Sequence, residues 1–68
     1  MRVRFNAKMV SDLTAQQHND PQARALYEGM VMEAQGEPRP GRLNTKYLNS
    51  DGTYSYRTYA WRDLEVIA

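Results

Sequence analysis

Hydrophobic and polar residues alternate along the first ten positions of the chain. The odd positions from 1 to 9 are Met, Val, Phe, Ala and Met, and the even positions from 2 to 8 are Arg, Arg, Asn and Lys. A period of two is typical of a strand with one buried face, so we predict a strand over residues 1–10 with a basic outer face. The next stretch, residues 11–19, is polar with one large apolar residue, Leu13, and predicts a surface loop, with a short helical turn inside it as the alternative.

The pattern changes to helical spacing after residue 20. Asp20 is a preferred N-cap residue, and Pro21 suits the first helical position, where its missing N–H costs nothing. Apolar or small residues follow at a helical period, at positions 23, 26, 27, 30 and 34. Gly36 and Pro38 are typical of a helix end, so we predict a helix over residues 21–35. Gly29 within it costs helix stability, and the segment Tyr27-Glu28-Gly29-Met30-Val31-Met32 is also compatible with a strand, which keeps a strand over 26–34 as the alternative.

The second half of the chain predicts a hairpin. Residues 36–42 contain two prolines and two glycines and predict a loop, and residues 43–48 predict a strand. The turn signal Asn49-Ser50-Asp51-Gly52 precedes residues 53–61, which are rich in aromatic and β-branched side chains and form the strongest predicted strand. A bend at 62–63 and a short strand over 64–67 complete the pattern.

These elements predict one compact α+β domain over residues 1–68. Its expected architecture is a small antiparallel sheet of three to four strands with one helix packed on one face. If residues 26–34 form a strand, the alternative is a small five-stranded β-barrel.

Length and composition narrow the functional classes. A chain of 68 residues without cysteine cannot be a disulfide scaffold or a Cys-type zinc module, and it leaves little scaffold for an enzyme. Ser11, His18 and Asp20 form only a nominal triad set within one polar stretch, so we predict no enzymatic activity, cofactor or metal site. Without an apolar leader or an 18-residue apolar run, a cytoplasmic protein that does not enter the membrane is expected.

Charge is segregated along the chain although its net value is only +1. Residues 1–10 carry three bases, residues 11–37 carry five acids against one base, and residues 38–68 carry five bases against three acids. Such a bipolar molecule is expected to select and orient charged partners.

The hairpin strand supplies the main candidates for binding. Tyrosine, tryptophan and arginine are the residues most enriched at interaction hot spots. Whichever face of this strand is buried, the other face presents large rings. The predicted partner-binding residues are Tyr54, Tyr56, Arg57, Tyr59, Trp61 and Arg62.

We therefore predict a small interaction protein that binds and modulates or inhibits a larger protein, as small accessory proteins of phages and mobile elements do. The second hypothesis is a nucleic-acid-binding module that combines the aromatic hairpin with basic residues. Its candidate contacts are Arg2, Arg4, Lys8, Arg42 and Lys46. The third is a structural homo-oligomer, such as a dimer, closed by the same surface.

Overall fold

The computed structural model describes residues 1–67 and contains five strands and two α-helices within that range. The elements in chain order are β1 (Arg2–Phe5), α1 (Ala7–Gln16), α2 (Pro21–Gly29), β2 (Met32–Arg39), β3 (Arg42–Leu48), β4 (Tyr54–Ala60), a 3₁₀ turn (Trp61–Asp63) and β5 (Leu64–Ile67). The strands form one antiparallel sheet in the order β4-β3-β2-β1-β5. The α+β class is confirmed, but with more strands and one more helix than predicted. The barrel alternative is wrong, because β4 and β5 lie at opposite edges of an open sheet.

Helix α1 corrects the prediction for the first twenty residues. The strand ends at Phe5, and Asn6 caps a helix that covers most of the predicted loop. The Asn6 side-chain oxygen accepts a hydrogen bond from the Met9 N–H at 2.9 Å. The period-two pattern over residues 1–10 predicted a strand that was too long. Val10 and Thr14 lie four residues apart, a helical spacing, and form the buried face of the helix.

Helix α2 begins as predicted and ends six residues early. The Asp20 side chain accepts from the Gln22 N–H at 3.1 Å, and Pro21 occupies the first turn. The helix ends at Gly29 rather than at residue 35. Gly29 is therefore the last helical residue and does not carry the cost of an interior glycine.

Strand β2 occupies part of the predicted helix and most of the predicted loop. It runs from Met32 to Arg39 and includes Gly36 and Pro38. The pairing with β3 shifts register on both sides of Gly36, whose φ is 153°, so bulges accommodate residues that a regular ladder excludes. Pro40 and Gly41 (φ 80°) join β2 to β3, as expected for a tight turn with proline first and a positive φ second.

The β3–β4 hairpin and β5 agree with the prediction to within one residue at most ends. Leu48 pairs with Tyr54 across the turn, and the register continues without a bulge to the Arg42–Ala60 pair. Asp51 stabilises the turn, because its carboxylate accepts from both the N–H and the hydroxyl of Thr53.

The core lies between the helices and the middle of the sheet. It comprises six buried apolar side chains contributed by four strands and by α1: Val3, Phe5, Val10, Met32, Leu43 and Leu64. Helix α2 contributes no fully buried residue. These six residues form a small core, and partly buried side chains, among them Leu13, Tyr27, Met30 and Trp61, pack against it.

Candidate interaction surface

The sheet has one face covered in part by the helices and one face without a helix, which we call the open face. Strand register assigns each residue to a face, because partners in neighbouring strands share a face and successive residues alternate. Buried Val3, Met32 and Leu43 define the helix side. Arg2, Glu33, Lys46 and Tyr56 lie in one row across β1 to β4 on the open face.

The candidate binding residues of β4 divide between these faces. Tyr54 and Tyr56 lie on the open face, whereas Arg57 and Tyr59 lie on the helix side. The Tyr59 ring packs edge-on against Phe5, with centroids 5.1 Å apart. Tyr59 is therefore partly a core residue, and the two exposed tyrosines are the freer binding groups.

Four exposed apolar side chains lie together at one end of the open face. Val31, Leu48, Tyr54 and Tyr56 are 44%, 57%, 49% and 62% exposed. The first three line the same shallow depression, and Tyr56 is on the same face two residues after Tyr54 in β4. We call these four residues the open-face patch. Leu48 and Val31 were missed from the sequence, because single apolar residues at strand ends carry no periodic signal.

Charged side chains border the patch. Lys46 Nζ lies 4.1 Å from the centroid of the Tyr54 ring, a cation–π contact that fixes this ring against the sheet. Farther across the sheet and away from the patch, Arg4 Nε donates to Glu65 Oε1 at 2.6 Å between β1 and β5. Glu33 is paired in register with both Arg2 and Lys46, so positive and negative groups alternate across the face.

The remaining predicted site residues lie away from the patch. Lys8 is on α1 and forms an ion pair with Asp12 at 3.0 Å. Arg42 is at the far end of β3, opposite Arg39. Trp61 is half-buried against the core, and its indole N–H donates to Glu37 Oε1 at 2.9 Å. Arg62 is exposed in the 3₁₀ turn, where its carbonyl accepts from the Asn6 amide at 2.6 Å.

A groove of about 290 Å³ separates α2 from the hairpin on the helix side. Its walls are apolar and aromatic, from Leu26, Tyr27 and Met30 on one side to Tyr47 and Tyr59 on the other. The groove exists because the helices pack over β1 and the middle of the sheet, so half of the hairpin has no cover. Burial raises the pKa of the Tyr59 hydroxyl above its usual 10.0, although the nearby Arg57 charge opposes the shift.

Comparison with protein-family models, curated proteins and solved structures gave no match. Neither helix of residues 1–67 is long and apolar enough to cross a membrane. Within the same range, no group of three or more His, Asp or Glu side chains has the geometry to hold a metal ion. Function must therefore be argued from the surfaces themselves.

Proposed function

We propose that this protein is a non-enzymatic interaction domain that binds a larger protein through the open-face patch and thereby modulates or inhibits it. The observation that carries the proposal is the clustering of Val31, Leu48, Tyr54 and Tyr56 on a helix-free sheet face. In a domain with six buried apolar residues, leaving four others exposed together is costly unless a partner covers them.

The surroundings of the patch suit a protein interface. An apolar centre with tyrosines and a charged rim is the usual composition of such interfaces. The rim here is mixed in sign, with Arg2 and Lys46 against Glu33. Mixed charges favour orientation toward a complementary protein surface over general attraction to a polyanion.

Single-stranded nucleic acid is the second candidate for the same face. Arg2, Arg4 and Lys46 share the open face with the two tyrosines, as a stacking platform requires. Two features weaken this candidate: Arg4 is paired with Glu65, and Glu33 lies between Arg2 and Lys46. Phosphates approaching the face would meet both carboxylates.

The test compares capture of proteins from a lysate of the source cells by three forms of the immobilised domain. Leu48→Ala combined with Tyr54→Ala removes the patch. Leu26→Ala is the matched control, since Leu26 is 56% exposed but lies on the opposite side of the sheet. We expect the same partner to be retained by the wild type and by the control and lost from the patch variant. The patch variant should remain folded, with a stability loss of about 2 kcal/mol from the cation–π contact and from the half-buried parts of the Leu48 and Tyr54 side chains.

A parallel titration with fluorescent oligothymidylate over a salt series tests the second candidate. Tight binding that weakens steeply with salt would identify a nucleic-acid module and contradict the proposal. Equal capture by the wild type and the patch variant would also contradict it, because the partner would then bind elsewhere.

A further inference from the structure

Strand β4 presents an unpaired edge whose outward groups can be identified. The Trp61 N–H donates to the Gly41 carbonyl, and the Asn49 N–H donates to the Thr53 carbonyl, both within the β3–β4 register. The odd residues of this ladder therefore hydrogen-bond to β3, since bonded and non-bonded pairs alternate in an antiparallel ladder. The N–H and C=O groups of Tyr54, Tyr56, Thr58 and Ala60 consequently point away from the sheet.

Little within residues 1–67 satisfies this edge. The only side-chain contact found there is a long one, from Arg57 Nη1 to the Tyr56 carbonyl at 3.4 Å. The other edge strand, β5, has four residues and carries the Arg4–Glu65 ion pair. Strand β4 has seven residues with no proline and no bulge, and Arg57 is its one charged side chain, so it carries few of the devices that normally protect an edge.

We propose that two copies of this chain associate through their β4 edges, as antiparallel strands related by a two-fold axis at Tyr56. This inference does not depend on the proposed function, because it rests on the unpaired backbone groups of β4, and the patch residues Tyr54 and Tyr56 enter only in the choice of register. A second copy is the occupant that the side chains of β4 favour, since the strand is complementary to itself.

The phase of the outward groups limits the register. Hydrogen-bonded pairs across the axis must join even-numbered residues. The two-fold axis can therefore pass through an even residue, or through an odd residue that lies midway between two even ones. Centring on Arg57 would place two guanidinium groups opposite each other, a destabilising like-charge pair. Centring on Tyr56 pairs the two Tyr56 rings, places Tyr54 opposite Thr58, and places Ser55 opposite Arg57, all compatible pairs.

The pairing would extend the five-stranded sheet across two copies. Tyr54 and Tyr56 of both copies would then form one aromatic strip on the continuous open face. It would also support the β3–β4 hairpin, one edge of which is otherwise unpaired and which the helices cover only in part.

Sedimentation equilibrium on the full chain tests the association. We expect the wild type to have twice the 7.9 kDa mass of one chain. Thr58→Pro should sediment as a monomer, because it removes an outward N–H while leaving the ladder to β3 intact. Thr58→Ala is the control and should remain dimeric, since both substitutions lose the Thr58–Asn44 side-chain hydrogen bond. Circular dichroism should be the same for all three. A wild type that stays monomeric at high micromolar concentration would overturn the proposal.

Cysteine substitution tests the register, because the chain has no cysteine of its own. Under mild oxidation, Tyr56→Cys should form a covalent dimer, since residues opposite each other across antiparallel strands lie within disulfide distance. Thr58→Cys should remain mainly monomeric on a denaturing gel, because its copies would be displaced from each other along the strands. Efficient crosslinking at position 58 but not at 56 would overturn the proposed axis.

Discussion

Individual aromatic side chains of this protein have separate roles that depend on their position in β4. Tyr59 packs against Phe5 at the border of the core, and Tyr54 is held by Lys46 on the open face. Tyr59 therefore contributes to the stability of the fold, whereas Tyr54, five positions earlier, is exposed on the surface. The sequence predicted that β4 would carry an aromatic surface, but it could not decide which parity is buried.

Tyr59 should couple the stability of the fold to alkaline pH. Burial raises the pKa of its hydroxyl, so the folded state favours the protonated form. This contribution is complete below the ordinary pKa of 10.0 and is lost as the pH rises through the folded pKa. We expect Tyr59→Phe to flatten the decline in unfolding free energy above pH 10, measured by urea titration.

Tyr56→Phe is the matched control, because Tyr56 is exposed on the open face. Its alkaline decline should follow that of the wild type. If Tyr59→Phe and the wild type lose stability in parallel above pH 10, the hydroxyl of Tyr59 is not shielded from water in the folded state.

Among the elements, helix α1 was not predicted, because its cap residue Asn6 lies within a stretch that alternates with the period of two that is typical of a strand. Asn6 stands at the change from strand to helix and makes three hydrogen bonds there besides the first helical one, which its carbonyl accepts from the Val10 N–H. Its side chain accepts from Met9 N–H and donates to the Arg62 carbonyl, and its own N–H donates to the Asp63 carbonyl. One residue thus joins the helix start to the segment that enters β5.

Substitution of Asn6 should therefore lower the stability of the protein more than substitution of an ordinary N-cap residue. We expect Asn6→Ala to lower the unfolding free energy by about 2 kcal/mol, the sum of a cap and a second hydrogen bond. Asn6→Ser retains a capping oxygen without the amide donor and should recover about half of the loss. Urea denaturation measures both values, and a serine variant as unstable as the alanine variant would contradict the capping role.

The predictable elements were those with local turn or cap chemistry. Asp20-Pro21 and Asn49 to Gly52 marked a helix start and a hairpin that the structure confirms. Strand β2 was not predictable, because Gly36 and Pro38 indicate a loop and only bulged pairing with β3 accommodates them.

At the scale of the whole molecule, the proposed interaction surface depends on an arrangement that no local pattern encodes. Both helices pack on one side of the sheet, so no helix of residues 1–67 covers the other side. The open-face patch joins residues that precede β2, end β3 and begin β4, and their proximity follows only from the strand order. Four of the five predicted basic contacts also lie on strands of this sheet, whereas Lys8 lies on α1.

Site-specific photo-crosslinking in the source cells tests the central claim most directly, because the adduct forms whatever the identity of the partner. A benzophenone side chain placed at Leu48 samples the open-face patch, and one placed at the similarly exposed Leu26 samples the opposite side. The proposed function predicts a discrete adduct with a larger protein from position 48 and none from position 26. An adduct from position 26 alone, or no protein adduct from position 48, would contradict it.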